Sequence, residues 1–169
     1  MNNINIWSIV KFGKYDWLVL EKRDDSILLI TKNIIERRAY HGVRTEKDMT
    51  WENSDLRKYL NLIFLNSFSP EERSRIRLTH NKNNANPEFG TNGGNDTDDY
   101  IFLLSIEEAQ ALDYRAATYG DDAYWWWLRS PGCVDIDGAG INADGSISIG
   151  GLDKYRVDGG LRPALWLSL

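Results

Sequence analysis

Residues 125–132 read Trp-Trp-Trp-Leu-Arg-Ser-Pro-Gly, and their texture decides the fold class. Consecutive side chains of a strand point to opposite faces, so Trp125 and Trp127 share one face and Trp126 takes the other. Trp is highly buried on average, so at least two of the three are expected to be structural anchors. The competing use of the run is an aromatic platform for stacking sugar rings. Downstream, eight of the fourteen glycines fall in the last 38 residues. Between them lie short apolar alternations, with Ile147 and Ile149 against Ser146 and Ser148, then Leu165 and Leu167 against Trp166. This pattern predicts short strands joined by tight turns.

Upstream, residues 12–35 hold two apolar segments, 17–20 and 27–31, separated by Lys22, Arg23, Asp24 and Asp25. An Asp-Asp-Ser turn reverses the chain because short polar side chains hydrogen-bond their own backbone, and the stretch predicts a hairpin. Both strands are apolar on both faces, which predicts a central, covered position. Leu56, Tyr59, Leu60, Ile63 and Phe64 recur every three or four residues, the period of one helical face, and predict a helix over 54–68. Ser69-Pro70-Glu71-Glu72 and Ser105-Ile106-Glu107-Glu108 each carry a capping box and predict two further helix starts. The apolar run 100–104 reads as a strand leading into the second of these. The Asn-, Gly- and Asp-rich stretch 81–99 predicts a long loop, of the kind that is often functional or tied down by an ion. Helices in the middle and strands at both ends, without βαβ repeats, give an α+β class in one domain over 1–169.

Composition narrows function. With 20 Lys+Arg against 25 Asp+Glu the formal charge is −5. Such a chain gains little from counterion release on a polyanion, which argues against nucleic-acid binding. No apolar run approaches the ~20 residues a membrane span needs, so membrane insertion is not expected. Residues 1–14 lack a basic start followed by an apolar stretch, and no signal peptide is visible. Cys133 is the only cysteine, which excludes an intrachain disulfide and fits a cytoplasmic setting. His41 and His80 are the only imidazoles, few for a histidine metal site or a Ser-His-Asp triad.

Several residues are candidates for chemistry. Asp135, Asp137, Asn142 and Asp144 fall within ten residues among Gly138, Gly140 and Gly145. Calcium favours such oxygen-rich loops, but the spacing is not that of an EF-hand, and Asx-Gly pairs are also what hairpin turns use. Asp96 and Asp98 raise the same choice in the long loop, so Asp96, Asp98 and Asp144 are the calcium candidates, with no cofactor as the alternative. Arg129 and Arg162 each read as a guanidinium paired to carboxylate or carbonyl oxygens, or else as an anion binder. Cys133 has no Lys or His near it in sequence to lower its pKa, and reads as a non-catalytic thiol with Arg129 the one cation near it in sequence.

The motifs Trp126–Gly132, Asp144-Gly145-Ser146 and Leu161-Arg162-Pro163-Ala164-Leu165-Trp166 resemble a large bacterial family of domains of unknown function. Trp51-Glu52-Asn53-Ser54 with Leu56-Arg57, and Gly93-Gly94-Asn95-Asp96-Thr97 followed by 101–105, look like the same family. More distantly, the order of Trp-Trp, Gly-rich hairpins and a closing Arg-containing strand is similar to C-type-lectin-like domains. Two such relatives are the variable binding proteins of diversity-generating retroelements and the domain of formylglycine-generating enzymes. That resemblance implies a C-type-lectin-like α+β domain with an N-terminal hairpin, central helices and C-terminal Gly-rich antiparallel strands. Residues 133–137, 139–142 and 152–158 follow the family least and, Lys154 apart, use residues reachable from mutated Asn codons. Formylglycine-generating enzymes use a pair of cysteines, and this chain has one.

The first functional expectation is a non-enzymatic module that binds a protein, peptide or carbohydrate ligand through its C-terminal hairpins and loops. Asp135, Asp137, Asn142, Tyr155 and Arg156 are the residues expected to contact it, because Tyr and Arg are enriched at hot spots and polar groups give direction. A derivative of formylglycine-generating enzymes, with Cys133 or a carboxylate pair as catalyst, is the second. A structural domain of a bacterial or phage assembly is the third. Oligomeric state is open.

Overall fold

The computed structural model describes residues 4–43 and 49–169. Strands β1 (Ile9–Phe12), β2 (Tyr15–Lys22) and β3 (Ser26–Thr31) form an antiparallel meander, followed by the short β4 (Glu36–Arg37). Helix α1 (Asp55–Lys58) runs on through a π turn over Tyr59–Phe64 and a 3-10 turn over Leu65–Ser67, and α2 spans Pro70–Arg75. Strands β5 (Thr79–Asn81) and β6 (Thr97–Asp99) pair, α3 (Ile106–Gln110) follows, and β7 (Ala117–Tyr119) pairs with β8 (Asp122–Tyr124). The chain ends in β9 (Trp126–Pro131), β10 (Asp137–Ile141), β11 (Ile147–Asp153), β12 (Gly160–Leu161) and β13 (Ala164–Ser168).

Two larger sheets carry the molecule. One has the order β1-β2-β3-β13, so the last strand closes against the N-terminal hairpin, with Leu165 opposite Leu29 and Trp166 opposite Leu28. The other has the order β11-β10-β9-β12-β4, antiparallel except where β12 runs parallel to β9. With strands at 37% and helices at 15% of the described residues, the class is α+β.

Strand β9 is buried along its whole length, with Trp126, Trp127 and Leu128 fully enclosed. Trp126 donates its indole N–H to the Arg115 carbonyl at 3.1 Å, and Trp127 donates to that of Arg38 at 2.9 Å. Trp125 is half-buried and meets Trp127 edge-on, 4.7 Å between ring centroids, as strand alternation requires. Arg129 forks onto Glu108 at 2.6 and 2.8 Å and also donates to the carbonyls of Leu103 and Lys82.

Both capping boxes form. Ser69 accepts from the Glu72 amide and Ser105 from the Glu108 amide, each at 3.1 Å. Three sequence expectations need correction. The 54–68 helix is α only in its first turn, and the wider π turn keeps Leu56, Leu60 and Phe64 buried at four-residue spacing while Ile63 turns out to solvent. Asn61 in that turn accepts from the amides of Tyr100 and Ile101 and donates to the Ile101 carbonyl. Those bonds hold residues 100–104 as an irregular segment, buried from Ile101 to Leu104 with Tyr100 exposed, and with one bridge, Phe102 to Ala164, where the sequence predicts a strand. Finally, β3 is covered on both faces but β2 alternates, with Trp17 and Val19 inward.

The long loop is fastened by its own amides. Asn86 donates to the carbonyls of Pro131 and Ile149 and accepts from the amides of Glu88 and Phe89. At its base, buried Asp99 accepts from Trp51 at 3.0 Å, Asn81 at 3.1 Å, Thr97 at 2.7 Å and Arg57 at 2.5 Å.

Gly159 shows how closely the second sheet is packed, because a Cβ there would fall on the Trp127 indole. Gly159→Ala is expected to lose about 3 kcal/mol by overpacking, read by urea unfolding. Gly120→Ala, at φ +61° with nothing within 4 Å, is expected to lose only about 1 kcal/mol, from backbone strain.

Candidate ligand-binding face

The turn between β9 and β10 and the segment after β11 lie side by side at one end of the second sheet. Gly132 donates to Asp137, Cys133 to Gly150 and Asp137 to Val134, each through backbone atoms at 2.7–2.9 Å. The Lys154 amide donates to the Ile136 carbonyl at 2.9 Å, and the Lys154 carbonyl accepts from the His41 amide at 3.0 Å. Three separate stretches, around residues 41, 135 and 154, are thereby stitched into one rim.

Lys154 is the knot. Its side chain is 1% exposed, and its ammonium donates to the carbonyls of Met49 at 2.6 Å and Asp135 at 2.8 Å. It lies 5.3 Å from the centroid of the Tyr40 ring. Burial pulls its pKa down to about 8, opposed in part by the charges of Asp135 and Asp137. Lys154 also lines a cavity of about 100 Å³ with Met49, Thr50, Asn92 and Asp135. Sequence reading missed it, because a lysine in a run of loop residues gives no sign that it is buried.

Of the residues predicted to contact ligand, Asp135 and Arg156 are exposed on this rim, and Tyr155 is half-buried with its hydroxyl against the Met49 sulfur. Arg156 forks onto Asp158 at 2.9 and 2.7 Å, and its guanidinium lies 5.5 Å from the Trp125 ring. Val43, Val134, Ile136 and Val157 are exposed on the same segments. Asp137 accepts from the Cys133 thiol at 3.3 Å, and that bond, with burial, raises the thiol pKa. Arg129, the cation near Cys133 in sequence, is spent on Glu108.

Asn142 is not with them. It follows β10 at the far end from Asp137, about 16 Å away at ~3.3 Å per strand residue. There its side chain donates to the Ser146 hydroxyl at 3.0 Å, and Asp144 accepts from the Ser146 amide and hydroxyl. The four oxygen-bearing residues 135, 137, 142 and 144 therefore divide between two ends of a strand instead of surrounding one cation. Asp96 and Asp98 flank His80 at 3.4 and 2.8 Å and raise its pKa, the Asp98 hydrogen bond contributing most. Among the described residues no three His, Cys, Asp or Glu side chains are grouped as metal ligands.

A larger cavity, about 470 Å³, lies on the outer face of the first sheet. Arg23 stacks on Trp166 there at 3.9 Å and pairs with Glu21, and Arg77 pairs with Asp25, so its arginines already have carboxylate partners. Among the described residues no helix is long and apolar enough to cross a membrane.

A family model described as a domain of unknown function, DUF6273, matches residues 24–169. The chain belongs to the DUF6273 family. No curated protein and no solved structure matches it. The DUF6273 match starts in the β2–β3 turn, so it takes in the second sheet and the whole rim and leaves out β1 and β2.

Lys154 makes the rim sensitive to pH. Its folded pKa lies below the ordinary value of 10.5, so between about pH 8 and 10.5 the unfolded chain binds more protons and stability rises with pH. The rise amounts to on the order of 3 kcal/mol when complete. Unfolding free energy measured from pH 7 to 9.5 is expected to climb in the native protein relative to Lys154→Met.

Proposed function

We propose that this DUF6273 domain is a non-enzymatic binding module of C-type-lectin-like architecture, and that it takes a protein or peptide ligand on the Lys154-knotted rim. The observation that carries this reading is the composition of the rim: Val43, Val134, Ile136 and Val157 stand exposed around Asp135, Tyr155 and Arg156. Exposed β-branched side chains beside a Tyr and an Arg give apolar contact, hot-spot residues and polar direction together. A carbohydrate would call on stacking aromatics instead, and two of the three consecutive indoles are buried.

The architecture is supported by the order of elements, with central helices between an N-terminal hairpin and Gly-rich C-terminal strands. The fixed second sheet beneath the rim lets its side chains vary cheaply, because exposed substitutions usually cost within about 0.5 kcal/mol. Variation of this kind is what a diversified binding protein requires, and a reverse transcriptase with a template repeat beside the gene would mark that route. The lone, half-buried thiol suits a reducing, cytoplasmic setting.

Partners captured from host lysate by the native domain and by Tyr155→Ala/Arg156→Ala, compared quantitatively, test the reading. The double variant is expected to stay cooperatively folded, with a modestly lowered melting temperature from the lost Met49 and Asp158 contacts, and to lose at least tenfold in capture of the specific partner, a loss of about 1.4 kcal/mol or more. Equal capture by both forms would remove the rim from the binding site.

A further inference from the structure

The most unusual charge in the molecule is Arg162. It is 2% exposed, and among the described residues its hydrogen bonds all go to backbone carbonyls: Thr31 at 2.9 Å, Lys32 at 3.2 Å and Arg115 at 3.3 Å. These use three of the five guanidinium N–H groups. Arg129, equally enclosed, is neutralised by the Glu108 carboxylate, whereas among the described residues Arg162 has carbonyl dipoles and the Trp126 ring at 5.0 Å but no carboxylate. Burial accordingly pulls its pKa down to about 10, countered only by Tyr114. A buried charge is costly to keep unless it is paired.

Arg162 also lines a cavity of about 320 Å³. The other lining residues include Trp7, Leu18, Tyr114 and Ala117, with Lys32 as a second cation. Among the described residues no acidic side chain lines it, in a chain whose net charge is −5. The volume sits at the small end of ligand pockets, which are mostly apolar with a few convergent polar groups.

Trp7 gives an independent sign. The Ser8 amide donates to the Asn5 carbonyl at 3.1 Å, closing a turn whose third residue is Trp7 at φ +66°. A turn that needs positive φ at that position normally takes Gly, and a bulky residue there stores on the order of 1–3 kcal/mol of strain. Strain of this kind clusters at ligand clamps. Here it places an indole in the wall of a cavity that holds two cations and no acid.

We infer that this cavity is a second binding site, separate from the rim, for a small organic carboxylate with an apolar body. The carboxylate meets Arg162 and Lys32, and the apolar body packs against Trp7, Leu18 and Tyr114.

The ¹⁵N-labelled full chain, titrated with benzoate and with hexanoate, tests this through the indole N–H signals of Trp7 and Trp126. Benzamide, hexanamide and inorganic sulfate are the controls. At least one carboxylate is expected to shift these signals saturably with a Kd of about 1 mM or tighter, its amide and sulfate each binding at least tenfold more weakly. Lys32→Glu, a substitution at an exposed side chain, is expected to leave the melting temperature no lower than that of the native chain and weaken the carboxylate at least tenfold. No shift by either carboxylate up to about 20 mM would overturn the proposal and leave Arg162 as a lock on three carbonyls. Amide or sulfate binding as well as the carboxylate, or a Lys32→Glu variant that binds it undiminished, would overturn it equally.

Discussion

Strand β9 is enclosed on both faces, and the polar groups of that strand must find partners inside the protein because water cannot reach them. The two buried indoles draw in the carbonyls of Arg38 and Arg115, the Arg129 side chain draws in Glu108 and the start of the long loop, and the Pro131 carbonyl takes the Asn86 amide. The Arg129 carbonyl accepts from the Tyr40 hydroxyl at 2.7 Å. Segments far apart in sequence are thus fixed relative to one another by the requirements of six residues. The turn that leaves β9 enters the rim directly, so the rigidity of the strand is passed to the surface.

Three buried cations mark three different solutions to one problem. Arg129 has a carboxylate, and its fork onto Glu108 is satisfied on both sides. Lys154 has two carbonyls and a depressed pKa, and its position gathers the stretches that form the rim. Arg162 has carbonyls only and faces a cavity without acids. Carbonyl dipoles orient a cation but carry no net charge, so the latter two keep a demand for negative charge that Arg129 does not. Lys154 meets that demand partly through Asp135 and Asp137 nearby, while among the described residues no carboxylate does the same for Arg162.

Features that depend on a few neighbouring residues were legible in the sequence. Both capping boxes lie where Ser-x-x-Glu places them, the β2–β3 hairpin forms at the Asp-Asp turn, and the tryptophan run alternates as a strand must. Features that depend on distant partners were not. Residues 100–104 are as apolar as a strand, but Asn61 takes the amides of Tyr100 and Ile101 and the segment forms no ladder. Ile63 fits a helical face by spacing, and the π turn rotates it outward. Asn142 is near Asp137 in sequence, and an extended strand separates them, because five residues of β-structure are long whereas five residues of loop can be short.

The amino-acid sequence by itself determined the class, the places where helices begin, the density of turns in the last third and that at least two of the three consecutive indoles would need burial, since these follow from propensity and periodicity acting over a few residues. Only the tertiary structure decided that β13 closes on β3, that a lysine inside a polar loop is the buried knot of the rim, and that Arg162 lacks a carboxylate. Burial and charge pairing are properties of what surrounds a side chain, and the surroundings of Lys154 and Arg162 come from segments up to about 130 residues away.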